Sequence, residues 1–79
     1  MAMPIIYMNL LEKSDKYAVY EFGYPDKMDG QMKLSIDNPL DYEILQPSAM
    51  GEGETLRAFA TLAKLIRNGE IPEKACRAS

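Results

Sequence analysis

Apolar and polar positions alternate along the first half of the chain, then recur every three or four residues along the second. The first pattern belongs to strands, whose successive side chains point to opposite faces, and the second to a helix. Residues 4–12 and 16–24 are rich in β-branched and aromatic side chains and flank the polar turn Lys13-Ser14-Asp15, which predicts a hairpin. In its second arm Ala18, Tyr20, Phe22 and Tyr24 share one face, with Tyr17, Val19, Glu21 and Gly23 on the other. Residues 25–30 break the pattern, and Asp29-Gly30 is a strong turn dipeptide. Residues 31–37 then alternate cleanly, with Met32, Leu34 and Ile36 inward. A turn at 38–41 leads into a short fourth strand, 42–46, closed by Pro47.

From Glu52 to Asn68 the period changes. Leu56, Phe59, Ala60, Ala63 and Ile66 form one helical stripe, widened by Leu62 and Leu65. Glu52 and Glu54 open this segment and Lys64 and Arg67 close it, as the helix dipole favours. Asn68-Gly69 supplies a left-handed stop, followed by Pro72. Residues 70–79 form a C-terminal tail, in which 73–79 stay open between a short extra turn, an edge strand and a loose end. The expected fold is therefore α+β: a small antiparallel meander of about four strands over residues 1–47, with one C-terminal amphipathic helix over 52–68 packed on it.

At 79 residues this is one domain, and a chain so short buries only about 60% of its unfolded surface. Four strands make a sheet roughly 19 Å wide, whereas a helix is about 10–12 Å across. One helix cannot cover one whole face, and nothing is left for the other. Residues 5–11 nonetheless place Ile5, Tyr7 and Leu11 on one face against Ile6, Met8 and Leu10 on the other. Surplus apolar surface of this kind predicts a protein partner or a homodimer.

Composition removes several chemistries. With no histidine, the chain has no histidine-based nucleophile pair, metal site or neutral-pH proton shuttle. One cysteine, Cys76, makes neither a disulfide, a zinc site nor a redox pair. Asp26-Lys27-Met28-Asp29-Gly30 does not work as a calcium loop, because aligning its glycine puts Pro25 and Lys27 where oxygen ligands are needed. Gly51-Glu52-Gly53-Glu54 stands where a phosphate loop would, yet its carboxylates repel phosphate. The carboxylates Asp37, Asp41 and Glu43 lack the cleft that acid–base pairs require. We therefore expect no enzyme activity, no cofactor and no metal. The apolar run 3–8 is too short to span a bilayer and lacks the flanks of a signal peptide, so a cytoplasmic protein is expected.

Charge points towards binding. Residues 26–54 hold seven acids and two bases, while residues 55–79 hold five bases and two acids. The expected partner-binding set is Asp26, Asp29, Asp37, Asp41 and Glu43, joined by Tyr24, which would gather if the loops flanking the third strand came together. An acidic patch of this kind steers a basic partner. The expected function is a non-catalytic interaction domain, its sharper version an immunity- or antitoxin-like protein. The alternative is a nucleic-acid-binding regulator using Arg57, Lys64 and Arg67 on the helix back. Against it stand the net charge of −3 and the lack of aromatic rings among those bases.

Overall fold

The computed structural model describes residues 5–78. Pro4, at the expected start of the first strand, and Ser79, at the end of the tail, lie outside the described residues. The elements are β1 (Ile5–Lys13), β2 (Tyr17–Tyr24), β3 (Lys27–Ser35), β4 (Tyr42–Gln46), α1 (Glu52–Arg67) and β5 (Lys74–Ala78). They form an antiparallel sheet of five strands in the order β4-β3-β2-β1-β5, with one helix packed on it. The meander is as expected. The addition is β5, which pairs with β1 from Ile5↔Ala78 to Asn9↔Lys74. The α1 connection thus carries the chain from one edge of the sheet to the other.

Alternation decides which face packs. Ile6 and Met8 of β1, Ala18, Tyr20 and Phe22 of β2, and Met32 and Leu34 of β3 are all fully buried beneath α1. Their neighbours in sequence point away, leaving Ile5 and Tyr7 39% and 38% exposed. A bulge between Leu10 and Glu12 shifts the register at the far end of β1, and Leu11 is exposed there.

The β2–β3 corner is tighter than its sequence suggests. Asp29-Gly30 is not the turn; the chain reverses at Pro25 and Asp26, and both Asp29 and Gly30 lie inside β3. Gly30 stands opposite Phe22, and a Cβ there would come within 2.4 Å of the ring carbon Cζ. The glycine makes room for a ring rather than for a reversal.

The helix stripe is also rotated from expectation. The buried positions are Ala58, Leu62, Ala63 and Ile66, whereas Leu56 is 52% exposed and Ala60 is exposed. The small Ala58 lets the helix backbone approach the sheet, which sets the packed face along 58, 62 and 66. Phe59 then falls to the side facing β4 and stacks on Tyr42 at 4.0 Å between ring centroids. On the other side, the Arg77 guanidinium donates to the Arg57 carbonyl and to Thr61 Oγ1, each at 3.4 Å. The helix ends as the Asn-Gly pair predicts: Gly69 has φ 85°, its N–H bonds the Ile66 carbonyl, and the Glu70 N–H bonds the Leu65 carbonyl.

Candidate functional site

With α1 on one face, the opposite face of the sheet carries no layer among the described residues. Cross-strand register sorts its side chains into rows. Lys74, Asn9, Glu21, Gln31 and Gln46 make a polar row across all five strands. Glu12, Val19, Lys33 and Glu43 make a second, and Cys76, Tyr7 and Gly23 a third, next to the Ile5–Ala78 pair. The face is thus apolar and aromatic towards β5 and charged towards β4.

Several of these side chains are held in place. Asn9 Nδ2 donates to Glu21 Oε1 at 3.1 Å. The Tyr17 hydroxyl donates to Glu12 Oε1 at 3.1 Å, while Lys33 Nζ lies 4.5 Å from the centre of the Tyr17 ring. Glu12, by accepting that hydrogen bond and by its negative charge, raises the Tyr17 phenol above its ordinary value. The cluster presents an acid, a ring and a base in fixed relation, next to an open depression of ≈310 Å³ lined by Lys16, Tyr17, Lys33, Ser35, Asp41, Tyr42 and Glu43. Side chains already ordered lose less entropy on binding.

The acidic residues expected to converge do not. Tyr24, Asp26 and Asp29 lie at the β2–β3 end, whereas Asp37 and Asp41 lie in the β3–β4 connection, with Glu43 in β4. A nine-residue strand is about 26 Å long, so the two groups sit at opposite ends of β3. The reason is topological: in a meander, the loops before and after one strand are at opposite ends of the sheet. Tyr24 packs half-buried against the core.

Asp29 has a structural task. Its carboxylate accepts from Ser48 Oγ at 2.5 Å and from the Ala49 N–H at 3.0 Å, tying the β4–α1 connection to β3. These bonds, the Ser48 one foremost, hold its carboxyl below its ordinary value of 3.8. A depressed folded-state value contributes stability that is complete above the unfolded value and is lost as pH falls through the folded one. Asp29→Asn should therefore flatten the fall in melting temperature between about pH 5 and pH 2. Parallel wild-type and variant curves would remove this role.

Of the basic residues, Arg57 is engaged by Glu54 at 2.8 Å, and Lys64 and Arg67 are exposed on the helix back. The one ring on α1, Phe59, stacks on Tyr42 and lines a shallow depression with Lys64 and Arg67. Among the described residues no group of three metal-binding side chains converges, and no helix is long and apolar enough to cross a membrane. The residues that reading by loops missed are Tyr7, Glu12, Tyr17, Glu21 and Lys33. Strand alternation carried the signal, since it placed Tyr17 and Glu21 on the face opposite Tyr20 and Phe22. Compared with known protein families, with curated proteins and with solved structures, the chain matches none.

Proposed function

We propose that this chain is a non-catalytic protein-interaction domain that takes a folded protein partner on the open face of its sheet. The observation that carries the reading is that face itself: five strands wide, without a covering layer among the described residues, and patterned with tyrosines and hydrogen-bonded charged side chains. Tyrosine is favoured at interfaces because its rigid ring buries area while its hydroxyl stays wet. Glu12, Glu21 and Glu43 outnumber Lys33 and Lys74 on the face. That balance suits a protein surface with basic groups and repels a phosphate backbone. An accessory or inhibitor-like role, of the immunity or antitoxin kind, fits this chemistry.

The substitution that tests it is Tyr7→Asp. Tyr7 is 38% exposed, so the fold should tolerate the change, with an unaltered thermal transition. Binding of the partner retained by the wild-type chain should weaken by about tenfold or more, the loss typical of a ring near the centre of an interface. Calorimetric titration of the two proteins against that partner measures it. Equal affinities would move the interface off this face.

A further inference from the structure

The buried core closes without β5. Its members come from β1, β2, β3 and α1. Four of the five β5 side chains are exposed, and only the half-buried Ala75 packs against the core. The strand is held mainly by its backbone ladder with β1, from Ile5↔Ala78 to Asn9↔Lys74. One further bond, from the Leu10 N–H to the Glu73 carbonyl at 2.8 Å, extends that ladder. The net gain of a ladder bond is comparable with the entropy lost in ordering a residue, so a strand that buries no side chain sits close to balance.

Side chains fasten it at two separate places. At its root, Ile71 packs against the core and the Tyr20 hydroxyl holds the Pro72 carbonyl. Near its tip, the Arg77 guanidinium reaches α1 through the two 3.4 Å bonds to the Arg57 carbonyl and Thr61 Oγ1. Those bonds are long and exposed, and so weak. The other edge of the sheet is secured on both flanks: Tyr42 of β4 stacks on Phe59, and Asp29 holds Ser48 and Ala49 just beyond that strand.

We propose that residues 73–78 form a detachable strap, which lifts off β1 as one unit while the other four strands and α1 stay folded, with Arg77 as its clasp. The root at Ile71 and Pro72 stays in place. Opening bares the outer edge of β1, a row of backbone donors and acceptors beside Ile5 and Tyr7, and uncovers the flank of Ile6 and Met8. Such an edge accepts an incoming strand, so the strap decides when β1 is available. The device does not depend on the partner proposed for the open face.

Native-state hydrogen exchange, followed by NMR at low concentrations of urea, tests the proposal. The Leu10 N–H and the amides of the β1–β5 ladder should share one protection factor, at least about tenfold below that of the β2–β3 ladder. That shared factor should depend little on urea, since opening exposes little surface. Leu34→Val thins the core on β3, two strands away from β1 and three from β5 in the sheet order β4-β3-β2-β1-β5. It should lower β2–β3 protection by roughly fivefold and leave the β1–β5 set unchanged, because the Leu34 contacts survive strap opening. Arg77→Ala should lower both sets by the same factor, as its bonds are lost in the open and the unfolded chain alike. An equal loss in both sets on Leu34→Val would mean that β5 leaves only when the whole chain unfolds, and overturns the proposal. Protection that declines residue by residue from Leu10 towards Ala78 overturns it too, by showing fraying in place of a unit. Unchanged protection of the β1–β5 set in Arg77→Ala would remove the clasp.

Discussion

Gly30→Ala should destabilise the fold by about 1–3 kcal/mol, the range for forcing an extra methyl into a packed core, and most of that loss should vanish when Phe22 is leucine. The new Cβ would meet Cζ, Cε2 and Cε1 of the Phe22 ring at 2.4, 2.6 and 2.7 Å. All three are atoms that leucine lacks. The ring has little freedom to withdraw, because Phe22 is fully buried within the core. In the Phe22→Leu background the clash is gone, and the methyl fills part of the space the ring vacated. Urea unfolding of the four chains gives the coupling energy between the two sites. Additive effects would mean that Gly30 is required for backbone reasons and not for the ring.

Tyr20→Ala is expected to cost about 3–5 kcal/mol, as large-to-small core changes of aromatic residues do, and Tyr20→Phe about 1–3 kcal/mol. The difference separates the ring from the hydroxyl. The side chain is fully buried in the centre of the sheet, and its hydroxyl donates to the Pro72 carbonyl at 2.6 Å. That bond fastens the connection between α1 and β5, so the phenylalanine variant leaves a carbonyl without its partner where the last strand begins. Burial pushes the Tyr20 phenol up to about 12. A raised folded-state value means the contribution is complete below the unfolded value near 10 and is lost as pH rises through 12. Wild-type stability should therefore fall between pH 10 and 12, and Tyr20→Phe should fall less steeply. Chemical denaturation at pH 8, 10 and 11.5 measures both slopes; identical slopes would exclude Tyr20 as the group responsible.

Much of this architecture was legible in the pattern of residues. Met32 and Leu34 point inward because β3 alternates without exception there, and β4 and the helix stop lie where Pro47 and Asn68-Gly69 put them. What was not legible depends on partners distant in sequence. Residues 74–78 have no strand signature of their own; they are a strand because β1 offers an open edge. Gly30 resembled a turn glycine because only the opposing Phe22 explains it. The buried helix stripe departs from the apolar spacing at Leu56 and Ala60, since Ala58 and not a larger residue faces the sheet. The candidate site was half visible. The loops flanking the third strand suggest a single acidic patch, which the alternating ends of a meander undo. The outward face of β1 and β2 was present in the alternation, and its ordering by Glu12, Tyr17 and Lys33 needed the cross-strand register.

The most direct test of the open-face reading is position-resolved photo-cross-linking in the native host. A photoreactive phenylalanine derivative is introduced at Tyr7, at Tyr17 or, as the control on the helix back, at Lys64. An interaction domain bound through its open face gives the same discrete protein adduct from positions 7 and 17 and none from 64. Adducts from position 64 alone, or none from either face position, would contradict it.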